Sequence, residues 1–220
     1  MKFFCIPLKR YSFTSFFVSF MVLFIIIQKK SMKNLWENAI SYEQYLKDTE
    51  AKINELEKSS DEDDKLYHQY YQLGLTRMQR VDKTYKPDGD LLEKLNSKNF
   101  KGKFLIISEG WCDDAAMIIP VIQHFFEGRN EVKITYRDQN NLIDSYLTNG
   151  AKSIPIVLIL NENNEVISHW GPRPKFGMEL LKKHKENPEN YNSDEFHNDL
   201  QVYYSKNKGK DIIEELLGKI

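Results

Sequence analysis

Apolar side chains in residues 35–99 recur with helical spacing. In residues 35–58 they lie three, four or seven positions apart, at Tyr42, Tyr45, Leu46, Thr49, Ile53 and Leu56. A second stripe in residues 64–83 consists of Tyr67, Tyr70, Tyr71, Gly74, Met78 and Val81. Such spacing puts side chains on one face of a helix. We therefore expect a helical hairpin whose aromatic stripes face the core rather than a binding surface, followed by a short helix at Asp90–Leu95.

Short apolar runs replace the helical pattern from residue 100. Four runs predict strands, at residues 103–108, 131–137, 154–160 and 165–170. Helices are expected at residues 115–127, 140–149 and 175–185. Strands separated by helices pair in parallel through right-handed crossovers, whereas the last two strands, joined by the turn N-E-N-N, should be antiparallel. The pattern predicts an α/β domain with a small mixed sheet and helices on both faces.

These elements divide the chain into four parts. We expect an apolar N-terminal segment at residues 1–31, a helical arm at 32–99, the α/β domain at 100–185 and a helical tail at 186–220. The tail contains a capped helix from Ser193 and the amphipathic run D-I-I-E-E-L-L. Both features are typical of helices that pack on a neighbouring domain.

The apolar N-terminal segment has three interpretations. Residues 11–27 are mostly apolar and are flanked by basic residues on both sides, which suits a membrane anchor at the short limit of a span. The basic start also resembles a signal peptide, although no A-x-A-like cleavage site follows. Alternatively, translation begins at Met32. The protein is cytoplasmic if it starts at Met32, and otherwise membrane-anchored through residues 11–27, its only expected membrane contact.

Composition and charge narrow the classes of partner and site. The 220 residues include 31 basic and 32 acidic side chains, for a net charge of -1. Phosphate backbones are bound by a basic excess, so we expect no nucleic-acid partner. Cys5 and Cys112 are far apart in the sequence and show no disulfide pattern, which indicates a reducing compartment. No metal site is expected, because the histidines lack ligand spacing; they are His68, His124, His169, His184 and His197.

The sequence W-C-D-D-A at residues 111–115 is the strongest candidate for chemistry. Cys112 follows a predicted buried strand and begins a predicted helix. The backbone N–H groups at a helix N-terminus stabilise a thiolate and lower its pKa. Asp113 and Asp114 oppose this with negative charge, so both are candidate modulators of the Cys112 pKa. The opposing effects are similar in size, and the sequence alone does not establish an activated thiol.

Three local features make residues 100–185 resemble the thioredoxin fold. Trp111-Cys112 ends a strand and begins a helix, Pro120 lies eight residues after Cys112, and K-S-I-P-I-V-L-I-L begins like the family's cis-proline strand. The resemblance implies that Pro155 is the cis-proline and that Ile154 precedes it at the site. It also implies a mixed sheet flanked by helices, here with an N-terminal helical hairpin and a C-terminal helical tail.

Two positions depart from the redox members of that family. Ala115 stands where the second, resolving cysteine would be, and Ile106 stands where those members carry a buried acid. The chain more closely resembles a bacterial thioredoxin-like subgroup that has a helical N-terminal extension, a W-C-x-D-A motif and one cysteine. Without a resolving cysteine, a mixed disulfide must be released by a second thiol from solution.

The resemblance implies monothiol disulfide exchange or thiol redox chemistry at Cys112. Trp111, Ile154 and Pro155 would form the groove that receives an extended segment of a protein or peptide substrate with a thiol or disulfide. No bound cofactor is expected, and a low-molecular-weight thiol would be the co-substrate. The competing hypothesis is a non-catalytic interaction or chaperone-like module that uses the same groove. Arg173 is a candidate contact at the rim.

Overall fold

The computed structural model describes residues 32–220. The apolar segment 1–31, with its three interpretations, lies outside the described residues. Within residues 32–220, every helix is too short or too polar to cross a membrane.

The arm begins with a helical segment at residues 32–38, which is followed by α1 at Tyr42–Leu56, α2 at Glu62–Thr84 and α3 at Gly89–Lys98. The single helix expected over residues 35–58 is wrong, because residues 32–38 and α1 are separate helices. The Ser41 side chain accepts a hydrogen bond from the Gln44 N–H and begins α1 as its N-cap. Just before it, Ile40 exchanges backbone hydrogen bonds with Ile134 at the sheet edge, and these bonds interrupt the helix.

The sheet contains β1 at Lys103–Ser108, β2 at Val132–Tyr136, β3 at Ile156–Leu160 and β4 at Val166–Trp170. Their spatial order is β2-β1-β3-β4. β1 and β2 are parallel, while β3 is antiparallel to both β1 and β4. Every residue of β3 is buried, as is nearly every residue of β1, which indicates that both faces of the sheet are covered. The predicted α/β fold with a mixed sheet is confirmed.

The helix expected at residues 140–149 is wrong, and so is the parallel crossover into β3. The connection contains only two 3-10 turns, at Arg137–Gln139 and Leu142–Ser145. The Asn140 side chain accepts from the Leu142 N–H and donates to the Tyr136 carbonyl oxygen. Such local bonds compete with helical hydrogen bonds. Without a helical crossover, the chain enters β3 antiparallel to β1.

The remaining helices are α4 at Asp113–Phe126, α5 at Lys175–Glu186, α6 at Ser193–Asn207 and α7 at Lys210–Leu217. α4 contains Pro120 and is buried along most of its length, between α2 and the sheet. The last two helices form the predicted tail and pack against the rest of the protein. Their buried core residues are Phe196, Leu200, Tyr204, Ile212, Ile213, Leu216 and Leu217.

The expectation that both aromatic stripes face the core is only half correct. In α1, Tyr42 and Tyr45 are buried. In α2, the buried residues all lie towards the C-terminal end, at Gly74, Met78 and Val81. Tyr67 and Tyr70 are instead 43% and 42% exposed. The C-terminal half of α2 therefore packs against α4, whereas its N-terminal half presents apolar side chains to solvent.

Gly171 joins β4 to the segment that leads into α5. Its φ is +122°, a conformation that L residues rarely adopt, and a Cβ atom there would collide with the carbonyl oxygen of Pro155. Both peptide bonds Ile154–Pro155 and Gly171–Pro172 are cis. Glycine at position 171 thus allows the chain after β4 to lie directly against the residue that precedes β3.

We predict that Gly171→Ala lowers the free energy of unfolding by about 2–4 kcal/mol, through backbone strain and overpacking. Gly89→Ala is the matched control, since nothing lies within 4 Å of an added Cβ in the first turn of α3. That variant should be neutral or slightly stabilised. Urea denaturation of both proteins measures the difference. Equal stabilities would contradict the close approach at Gly171.

Candidate functional site

Cys112 lies between β1 and α4, as the sequence predicts, and occupies the N-cap position of α4. Its backbone is extended, with φ -80° and ψ 115°, and its side chain makes no capping bond. Instead, the Sγ atom donates to the carbonyl oxygen of Ile154 at 3.5 Å. Only 7% of the residue is exposed. The thiol is therefore held against the segment that enters β3.

Ile154 and Pro155 form that segment. Both are buried, and they immediately precede β3. The Ile154 carbonyl oxygen accepts from Cys112, while its N–H has no hydrogen-bond partner among residues 32–220. An unpaired backbone donor next to a strand is the kind of group that pairs with an added extended segment.

A cleft of about 400 Å³ opens beside the thiol. Its walls bring together elements that are far apart in the sequence: α2, the start of α4, the segment before β3, Arg173 and α6. The lining residues are Tyr70, Trp111, Cys112, Asp113, Asp114, Arg137, Lys152, Ser153, Ile154, Arg173, His197, Leu200 and Gln201. Of the predicted site residues, Pro155 alone does not line the cleft; it lies buried behind Ile154.

Trp111 forms one wall of this cleft. Its ring meets that of Tyr67 edge-on, with centroids 6.0 Å apart. On another side the Arg137 guanidinium lies 5.0 Å from the Trp111 centroid, a distance typical of cation–π contact. Arg137 is itself held by two hydrogen bonds to Asp138. Trp111 is thus both a packing residue and part of the cleft surface.

The two aspartates after Cys112 have different partners. Oδ1 of Asp113 lies 2.5 Å from Nη1 of Arg77 on α2. Asp114 is more deeply buried: its Oδ2 lies 2.6 Å from Nη2 of Arg173, and its Oδ1 accepts from the Tyr204 hydroxyl at 2.7 Å. Arg173 therefore pairs with a buried carboxylate rather than serving only as a rim contact.

Burial and, to a lesser extent, the negative charge of Asp114 raise the pKa of Cys112 to about 12. The N–H groups of Ala115 and Asp114 and the charge of Arg173 lower the pKa, but by less. From the sequence alone, the lowering of the Cys112 pKa by the helix N-terminus and its raising by the two aspartates are similar in size. Burial of the thiol decides the direction, because a desolvated thiolate is disfavoured. At rest, Cys112 is a protonated thiol.

Burial also raises the pKa of the Asp114 carboxyl, although Arg173 and Tyr204 act to lower it. Sequence reasoning missed Tyr204, which lies 90 residues away from Asp114, and no local motif marks it. It also missed the pairing of Arg77, on α2, with Asp113, on α4. Only the packing of α2 and α6 around the start of α4 reveals these pairs.

Ile106 and Ala115 are both fully buried. An apolar side chain therefore fills the place of the buried acid of redox thioredoxins, and a methyl group fills the place of the resolving cysteine. In the part of the chain that the structure describes, Cys112 is the one cysteine, and it is free. No group of three or more potential metal ligands occurs within residues 32–220.

A family model described as thioredoxin matches residues 60–187, which is more than half of the chain. The chain belongs to this thioredoxin family. The match begins two residues before α2, so the family's domain includes α2 and α3 of the arm as well as the sheet. Whether this thioredoxin-family protein falls in a single-cysteine subgroup stays a prediction.

One solved structure resembles this thioredoxin-family protein in fold, and a second matches at a lower score. A protein of unknown function from Pseudomonas aeruginosa is 14% identical, with a TM-score of 0.52 over 84% of this chain and 93% of that one. An HIV epitope scaffold is 13% identical, with a TM-score of 0.49 over 86% of this chain and 98% of that one. No curated protein matches the sequence. The likeness extends to architecture and carries no information about activity.

We predict that the alkylation rate of Cys112 rises about tenfold per pH unit from pH 7 to 10 without levelling off, because the thiolate is the reacting form and the pKa of Cys112 is raised to about 12. The measurement uses the full chain with Cys5→Ser, so that Cys112 alone is labelled. Urea-unfolded protein is the control and should level off above about pH 8.5. A native-state plateau below pH 8.5 would contradict the burial argument.

We predict that Tyr204→Phe lowers the free energy of unfolding by about 1–3 kcal/mol, because it leaves a buried carboxylate oxygen without its donor. Tyr203→Phe is the matched control on the same helix. Tyr203 donates to Asp211 at a partly buried site outside the cleft, so its loss should cost less. Urea denaturation measures the free energy of unfolding of both variants. Equal decreases would contradict a larger stabilising contribution from the bond to Asp114.

Proposed function

We propose that this thioredoxin-fold protein binds an extended segment of a protein partner in the cleft beside Cys112, and that binding, rather than rapid thiol exchange, is its activity at neutral pH. The observation that carries the proposal is the state of the thiol. Cys112 is 7% exposed and donates a hydrogen bond to Ile154 at the floor of an open cleft. The site thus combines an open cleft with a buried, protonated cysteine.

The chemistry of the thiol supports a binding role. A thiol with a pKa of about 12 is ionised to only about one part in 10⁵ at pH 7, compared with a few per cent for a free cysteine. A buried cysteine of this kind packs like a small apolar side chain. Ala115 removes the intramolecular route by which a trapped partner would be released. Slow attack and no resolving thiol both disfavour turnover.

The groove supplies groups suited to an extended segment. The Ile154 N–H, which has no hydrogen-bond partner among residues 32–220, lies two residues before the start of β3. A partner backbone could pair there in the manner of an added strand. Trp111 and Tyr70 add apolar surface to the lining of the cleft. Arg137, Lys152 and Arg173 all contact acids of this protein, so the cleft does not present a strong uncompensated charge.

Monothiol exchange is the second candidate, and one observation favours it: Cys112 lines the cleft, and the nearby Arg173 charge acts to lower its pKa. In this reaction the Cys112 thiolate attacks a glutathionylated protein. A bond forms between Cys112 and the glutathione sulfur, and the protein thiolate leaves. A second glutathione thiolate then attacks, which releases oxidised glutathione and restores Cys112.

We predict that peptides selected on the full chain from a library displayed on phage bind Trp111→Ala at least tenfold more weakly than the unchanged protein, because the variant removes one wall of the cleft. Cys112→Ser should bind within about twofold, since the thiol is not required. Fluorescence anisotropy of the labelled peptides gives the affinities. Phe176→Ala is the matched control, being an exposed aromatic on α5 outside the cleft.

The same proteins separate the two candidate functions. The rate at which glutathione is removed from a model glutathionylated peptide is measured in the presence of excess glutathione. This rate should be no higher with the protein than without it. Fast removal that Cys112→Ser abolishes would establish exchange instead and overturn the binding proposal's second clause. If no selected peptide depends on Trp111 for its affinity, the proposal that the cleft binds an extended segment is overturned.

A further inference from the structure

The N-terminal half of α2 presents an apolar face that residues 32–220 leave largely exposed. Leu66, Tyr67, Tyr70 and Leu73 are each between 42% and 45% exposed. Positions three, four and seven apart lie on one side of a helix, so these four side chains form a single stripe. Contiguous exposed apolar patches on a soluble protein mark interaction surfaces. We call these four residues the α2 stripe.

The α2 stripe is continuous with the cleft. The Tyr67 ring contacts both Tyr70, at 6.4 Å between centroids, and Trp111, at 6.0 Å. Tyr70 and Trp111 in turn line the cleft beside Cys112. A segment that leaves the cleft past Trp111 would therefore meet the aromatic rings of Tyr67 and Tyr70.

Acidic side chains extend the α2 stripe by one helical turn. Glu62 lies four residues before Leu66, and Asp63 lies four residues before Tyr67, so each shares a face with its apolar neighbour. Glu62 pairs with Lys65 at 2.6 Å. The Asp63 carboxylate is exposed and has no ion-pair partner among the described residues. This end of the surface would attract a basic side chain.

We propose that the α2 stripe is a second subsite for the same protein partner, and that it receives apolar or aromatic side chains followed by a lysine or arginine that meets Asp63. The inference rests on the proposed binding function and names the class of segment bound. Along α2 the side chains are apolar near the cleft and acidic beyond it. The partner segment should therefore carry apolar side chains first and a basic side chain after them.

The dimensions agree with a short peptide. From Leu73 to Asp63 the helix rises ten residues, or about 15 Å at 1.5 Å per residue. An extended chain covers that distance in about five residues at about 3.3 Å each. A segment of about 10–12 residues would therefore fill both the cleft and the α2 stripe, which sets the length of the library.

The experiment uses the full chain and a library of random 12-residue peptides displayed on phage. Selected peptides should be enriched in an aromatic or aliphatic residue a few positions from a lysine or arginine. We predict that the double variant Leu66→Ala/Leu73→Ala, which leaves the contact between Tyr67 and Trp111 in place, binds them at least tenfold more weakly. Alanine preserves the helix, so the loss reports on contact. Ile167→Ala, an exposed apolar residue on β4, is the matched control and should bind normally.

A second variant tests the charge. Asp63→Lys should weaken binding of the basic peptides at least fivefold at low salt, with a smaller difference at high salt because screening weakens exposed charge pairs. Asp90→Lys, which changes an exposed first-turn acid of α3, should have no effect.

The outcomes separate this inference from the proposed function. Peptides that lose affinity with Trp111→Ala but not with the α2 stripe variants would overturn the second subsite and leave the cleft intact. Peptides that depend on the α2 stripe without basic enrichment, or that bind Asp63→Lys normally, would overturn the assigned class of segment. If no selected peptide depends on Trp111 or on the α2 stripe, both proposals fail.

Discussion

The burial of one carboxylate, that of Asp114, determines how three parts of the chain meet at the site. A buried charge is tolerated only when it is paired and hydrogen-bonded. Asp114 meets this requirement with Arg173, from the segment after β4, and with Tyr204, from α6. Helix α6 must therefore lie beside the start of α4, where its Leu200 and Gln201 line the cleft. The tail is part of the site.

The same carboxylate affects the chemistry available to Cys112. A negative charge near the thiol disfavours the thiolate, as does its burial. In redox thioredoxins the buried acid lies at the position of Ile106, on the strand before the cysteine, whereas here the buried acid follows the cysteine and is tied to an arginine and a tyrosine. An acid committed to those two partners stabilises the scaffold, which is consistent with a site that binds more readily than it reacts.

The parts of this fold that the sequence could predict depend on neighbours in the chain. The strands, the start of α4 at Cys112 and the position of Pro155 follow from short patterns. The helix predicted at residues 140–149 is wrong because the Asn140 side chain forms a local turn. A pattern of apolar positions contains no information about such a turn. The partners of Asp113 and Asp114 could not be predicted, because they come from α2, the segment after β4 and α6, and only tertiary packing brings them together.

The failure of the α2 pattern has a different cause. An amphipathic stripe predicts that apolar side chains will be buried, since burial of apolar surface is the driving force, but it does not distinguish the protein's own core from a partner. α2 has 23 residues and is about 34 Å long, and only its C-terminal half packs against α4. Apolar residues recur with the same helical spacing in both halves of α2, in the half that packs against α4 and in the half that is exposed. Among the described residues this apolar face extends beyond the contact with α4, and it is continuous with the cleft through Tyr67 and Trp111. That continuity is what makes it suitable as the proposed second subsite.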